Sequence, residues 1–260
     1  MKSIIRYTIL TAMRDWLYIG ILLLALASIF LSSFLGGTAL VEQGFMSMAY
    51  IGGSCRIIII VGLILFVCFH VRRSFENKEI ELILTRPISR VQFVFAYYTG
   101  FAILSFTIIV PLALTLMFLW AIGYVWGSPL GIMYWAVSFY FESLIMVAFA
   151  FFASLILNSA VSAVLASFAF YFLARMFGFL LISMQNPASL THASLFGRTM
   201  ESFLSAISIV MPRLDMFSKT EWLNYGVVNF EQYSLFMVTA AIYIPLLIVM
   251  ALFDFVRKQF

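Results

Sequence analysis

The chain has 260 residues, of which 64% are hydrophobic and only 10% charged, with a mean hydropathy of +1.09. A water-soluble domain carries roughly 25% charged residues, so this composition excludes a protein whose main solvent is water. The net charge of +4 does not point to nucleic acid. The basic residues flank apolar runs, and no basic, aromatic-studded soluble face is present to follow a phosphate backbone.

Spanning helices need about 20 apolar residues each. The pattern predicts an all-α fold, a polytopic membrane helical bundle of about six transmembrane helices forming one domain over 1–260. Cys55 and Cys68 are too few for a disulfide framework and lack metal-ligand spacing, so both read as small apolar fillers and no metal site is expected.

Met1 to Trp16 carries Lys2, Arg6, Arg14 and Asp15, with Ile4, Ile5, Ile9 and Leu10 at helical spacing. This predicts an amphipathic helix lying on the membrane. The uncharged run that follows gives a first span at 17–35. A cleaved signal peptide is the rival reading, since small residues between Leu31 and Ala39 resemble a cleavage site. The apolar run exceeds a normal signal core and Arg14–Asp15 directly precedes it, which favours retention.

Gly36 to Arg56 reads as a mixed loop, and the second span is placed at 52–71. The densest charged stretch occupies 72–90. Val91 to Phe141 then has no Lys, Arg, Asp or Glu, and Gly123, Gly127, Ser128, Pro129 and Gly131 mark its middle. Two spans result, 91–120 and 134–157, the first expected to kink at Pro111. Asn158–Ser159 makes a minimal turn into a fifth span at 160–184.

Residues 185–234 are polar enough to be expected in the outer interface. There Met200, Phe203, Leu204, Ile207, Val210 and Met211 predict an interfacial helix ending at Pro212. The sixth span is 235–253. With the N-terminus inside, the inner segments hold ten basic residues: Lys2, Arg6, Arg14, Arg72, Arg73, Lys78, Arg86, Arg90, Arg257 and Lys258. The outer segments hold four, Arg56, Arg198, Arg213 and Lys219, so both termini are expected in the cytoplasm.

The loop from Arg72 to Phe93 reads RRSFENKEIELILTRPISRVQF. Ser74 is placed to cap a short helix running through Leu84, and Pro87 disfavours helical geometry at Arg86. Ser89 with Gln92 matches a capping box, and Ile88 with Phe93 a hydrophobic staple, so a new helix is predicted to start at Ser89. The result is a short helix–turn–helix joined directly to two spans, able to pass force to them. An ordinary charged loop that holds orientation is the competing reading.

Glu81-Leu82-Ile83-Leu84-Thr85-Arg86-Pro87-Ile88-Ser89-Arg90 resembles the cytoplasmic loop of type 2 ATP-binding cassette (ABC) transporter permeases, whose pattern approximates Gly-Thr-Leu-Glu-Leu-Leu-Leu-Ser-Arg-Pro-Val-Ser-Arg. Lys78 and Glu79 stand where that pattern has Gly-Thr. The helix ahead of the first span is similar to the interfacial helix of that family. Met211-Pro212-Arg213-Leu214-Asp215-Met216-Phe217 followed by Tyr225-Gly226 looks like a segment preceding the last span in some members.

The resemblance implies a permease, expected to be an exporter, whose 72–90 loop docks on a cytoplasmic ABC ATPase subunit. The coupling residues it implies are Glu76, Glu79, Glu81, Arg86, Pro87, Ser89 and Arg90. It also implies pairing with a second permease copy, as a homodimer or with a related subunit. The location is then multi-pass in a bacterial plasma or inner membrane. The chain has no Gly-x-x-x-x-Gly-Lys-Ser/Thr phosphate loop, so ATP is expected on the partner and no cofactor or catalytic residue on this chain.

Glu142 and Arg175 fall inside predicted spans, where an ionised group needs a partner or a wet cavity. Glu142 lies 17 residues before Ser159 and Arg175 lies 16 after it, so both sit about 25 Å from that turn at nearly equal depth. They are expected to pair across the fourth and fifth spans, either as a clip fixing helix register or as a polar contact in a substrate path. His70 is expected to snorkel at the cytoplasmic boundary, and His192 lies in the outer loop. Trp120, Trp126, Trp135 and Trp222 are expected to form an aromatic belt.

The alternatives to the permease are a standalone channel or ion-coupled carrier and a membrane assembly factor. An intramembrane enzyme is disfavoured, since no His-Glu-x-x-His, no Gly-x-Ser-x-Gly and no paired aspartates occur within a span.

Overall fold

The computed structural model describes residues 2–38, 42–77, 89–185, 211–226 and 230–257, and every described element is helical. The order is α1 (Lys2–Met13), α2 (Trp16–Gly37), α3 (Gln43–Glu76), α4 (Arg90–Ala121), α5 (Pro129–Ile156), α6 (Ala160–Gln185), a 3-10 turn (Leu214–Phe217), α7 (Glu221–Tyr225) and α8 (Phe230–Arg257). Among the described residues five helices are long and apolar enough to cross a membrane: α2, α3, α4, α5 and the Ser234–Arg257 part of α8. The fold is thus all-helical and compatible with a membrane helical bundle. The apolar run within the described side chains of α6, Ala160–Met176, is shorter.

Side chains at the helix starts satisfy backbone N–H groups that have no partner within their own helix. The Asp15 carboxylate accepts from Leu17 N at 3.0 Å and begins α2. Ser89 accepts from Gln92 N at 3.2 Å and begins α4, while Ser128 accepts from Gly131 N at 3.3 Å with Pro129 in the first turn of α5. Helix α4 runs through Pro111 without interruption, and α8 likewise through Pro245.

Two helices form the centre. About two thirds of the apolar window of α3 and of α5 is buried inside the chain, against 28–33% for α2, α4 and α8. Helix α2 packs along α3, where the hydroxyls of Ser28 and Ser32 lie 2.8 and 2.9 Å from that of Ser54. Such small polar residues let helix backbones approach closely and bond across the contact. The outward face of α2 carries Leu23, Leu24, Leu26, Phe30 and Phe34, all exposed, a surface suited to lipid and not to water.

Two expectations for this region change. Residues 36–56 are not one loop, because α3 begins at Gln43 and carries Arg56 well inside it. The described part of the expected outer interfacial segment, 211–226, keeps Glu221 and Tyr225 exposed but is not merely laid on the bundle surface. Leu214, Phe217, Trp222 and Leu223 are buried as it folds back against α3, α5 and α6. Its charged residues disguise a compact apolar plug when read by composition alone.

Candidate functional site

Four residues of α5 share one helical face at spacings of three and four: Trp135, Ser138, Phe139 and Glu142. All four are fully buried, and Arg56 of α3 reaches across them with its side chain 1% exposed. Arg56 Nη1 donates to Glu142 Oε2 at 2.7 Å and also to the carbonyl of Phe217 in the 3-10 turn. Arg56 Nη2 donates to Ser138 Oγ at 3.1 Å and to the Trp135 carbonyl at 3.3 Å. The guanidinium carbon lies 5.2 Å from the Trp135 ring centre and 5.0 Å from that of Phe139, within cation–π range. One side chain thereby ties together α3, α5 and the folded-back segment.

The second carboxylate oxygen of Glu142 serves α6. Arg175 Nη1 donates to Glu142 Oε1 at 3.0 Å and to Tyr171 Oη at 3.0 Å, while its guanidinium lies over the Tyr171 ring at 5.7 Å. Glu142 is fully buried, but 26% of the Arg175 side chain is exposed. A further ion pair lies on the folded-back segment, Arg213 Nη2 to Asp215 Oδ2 at 3.1 Å. The Asp215 carboxylate packs onto the backbone of Gly178, three residues beyond Arg175, where any Cβ would overlap it. At the other edge, Ser128 N donates to the Leu223 carbonyl at 3.0 Å, and Gly131 leaves the space that the Trp222 carbonyl occupies.

The cluster sits near mid-height. Arg56 is 13 residues into α3 and Glu142 is 13 residues into α5, about 20 Å from each helix start. An ion at such depth is costly in hydrocarbon unless partnered or hydrated. Here one carboxylate is shared by two guanidiniums.

The structure brings together Glu142 and Arg175 and adds Arg56, which the sequence reading had assigned to the outer loop. That reading also misplaced two tryptophans. Trp135 and Trp222 belong to the interior and not to an aromatic belt, while Trp120 and Trp126 are exposed. His70 is 6% exposed, stacked on Phe66 with ring centres 5.3 Å apart and edge-on to Phe101 at 5.7 Å, so it does not snorkel. Cys55 and Cys68 are free and buried.

The signal for Arg56 was local. Gln43 to Ile57 contains no proline, and Arg56 is followed directly by four isoleucines, so the helix has no reason to start after it. What the chain order hides is the partner, 86 residues away.

Of the expected coupling residues, Glu76 ends α3, exposed, with Arg72 Nε 3.7 Å from its carboxylate. Ser89 caps α4. Arg90 donates to the carbonyls of Phe255 and Val256 at 3.3 and 2.8 Å, in the last turn of α8. Glu79, Glu81, Arg86 and Pro87, like His192, lie outside the described residues. Beside Glu76, a cleft of about 750 Å³ is lined by Arg14, Asp15, Trp16, Arg72 and Arg73, and Arg73 reaches Asp15 at 3.4 Å. Among the described residues no group of three His, Cys, Asp or Glu is placed to hold a metal ion. Comparison with models of known protein families gives no match, and neither does comparison with curated protein sequences.

Proposed function

We propose that this chain is the membrane-spanning permease subunit of an ABC exporter. In this reading α6 is a sixth span, both termini and the 72–90 loop face the cytoplasm of a bacterial cell, and two permease copies pair. A separate ABC ATPase docks on the loop and carries all ATP chemistry.

The observation that carries the reading is the Arg-Pro-Ile-Ser-Arg end of the loop, Arg86 to Arg90, together with the anchoring of both loop margins. On one side Arg73 pairs with Asp15 at the α1–α2 corner, and on the other Arg90 holds the end of α8. A force applied to such a loop is passed to several helices at once. Helix α3 runs from the loop to Arg56, so a displacement also reaches the Glu142 cluster and biases one helix packing against another.

Tagged protein purified from its native membrane should carry an ABC ATPase. Glu81→Lys and Arg86→Ala should abolish transport and ATPase retention while leaving membrane insertion intact; full retention of the ATPase by both variants would overturn the reading. A standalone ion-coupled carrier is favoured by one observation, the buried ions of α3, α5 and α6, and a purified complex without any ATPase would select it.

A further inference from the structure

Among the described residues the buried charges do not cancel. Arg56, Glu142 and Arg175 sum to +1, and Arg213 with Asp215 adds nothing because the two pair with each other. Both Glu142 oxygens are already committed, one to each arginine. Arg175 places only Nη1 in hydrogen bonds among the described residues, and about a quarter of its side chain remains exposed. That exposed part lies roughly midway along a bundle of apolar helices, beside the exposed side chains of Phe172 and Met176.

A guanidinium in that position does not face hydrocarbon, since it needs water, an anion or an acidic partner there. Its fork of donors suits a planar or tetrahedral oxyanion. We infer that the Arg175 face of α6 lines a hydrated path, and that the cargo moving along it carries an anionic oxygen group, a carboxylate, phosphate or sulfate. Glu142 is then the positioning residue. It holds Arg175 Nη1 and leaves the other donors for the cargo, while Arg56 keeps the site net positive. The word cargo rests on the permease reading; the hydrated, anion-favouring face does not.

The test uses Phe172→Cys, one turn from Arg175, in the full chain in sealed phosphatidylcholine vesicles. Modification rates are compared for an anionic sulfonatoethyl and a cationic trimethylammonioethyl methanethiosulfonate. The parent chain, whose two cysteines are both buried, is the background. Relative to a small free thiol, the anionic reagent should gain roughly fivefold over the cationic one. Arg175→Gln should erase that gain, Arg175→Lys should keep it, and Glu142→Gln should enlarge it.

Protection from both reagents, or equal preference with and without Arg175, would overturn the inference. Should Arg175→Gln fail to fold, the Phe172→Cys chain alone still decides, since no gain of the anionic over the cationic reagent there would overturn the inference. No ATPase takes part in the labelling. A chain without an ATPase partner therefore defeats the permease reading alone, and loss of charge preference defeats the anion inference alone.

Discussion

Two of the places where arginine meets a carboxylate, the end of α3 and the middle of the bundle, differ in nearly every physical respect. At the end of α3, Arg72 and Glu76 are one helical turn apart with the carboxylate 69% exposed, and Arg73 reaches Asp15 with its own side chain 70% exposed. At mid-height, Arg56 and Glu142 come from different helices and are 1% and 0% exposed. Water screens the first kind of pair and leaves it worth about 0–1 kcal/mol. The second kind has no water to fall back on, so removing one partner strands a charge and costs about 3–5 kcal/mol. The same residue types therefore do opposite jobs: the surface pairs dress a loop margin, and the buried set fixes how α3, α5 and α6 meet.

The largest effect expected from that contrast is at Glu142. Glu142→Ala leaves two guanidiniums facing each other without a counter-charge and should destabilise the detergent-solubilised protein by about 3–5 kcal/mol, read by denaturant unfolding. A loss below about 1 kcal/mol would place the buried set in the same class as the surface pairs. Next comes Gly131→Ala. The added methyl meets the Trp222 carbonyl, so the folded-back segment must shift, at a cost of about 1–3 kcal/mol and with a change in tryptophan emission. Ser89→Ala removes the cap of α4 and should cost about 1 kcal/mol by the same unfolding assay. The smallest change belongs to Arg73→Ala, within about 1 kcal/mol and shrinking further in high salt.

What the sequence disclosed follows the same division. Features set by neighbours along the chain were legible. Ser89 caps a helix as its spacing to Gln92 requires, and the uncharged runs became long apolar helices, the one after Asp15 forming α2. Glu142 and Arg175 were found because the Asn158–Ser159 turn makes depth computable by counting residues on either side of it.

Features set by distant neighbours were hidden. Arg56 looked like a loop residue because hydropathy averages it with Gly52, Gly53 and Ser54, and its partner stands on another helix. Residues 211–226 looked interfacial because Arg213, Asp215, Lys219 and Glu221 dominate their composition, yet Leu214, Phe217 and Leu223 point inward and decide the packing. Trp135 and Trp222 were misread for a related reason. Their nearness to span ends along the chain says nothing of which face they occupy.

Arg56 and Glu142 act as one unit inside the bundle. A double-mutant cycle of Arg56→Gln, Glu142→Gln and the combined variant, followed by unfolding in detergent, measures that directly. A coupling of about 2 kcal/mol or more between the two sites is expected. Additivity within about 0.5 kcal/mol would contradict it.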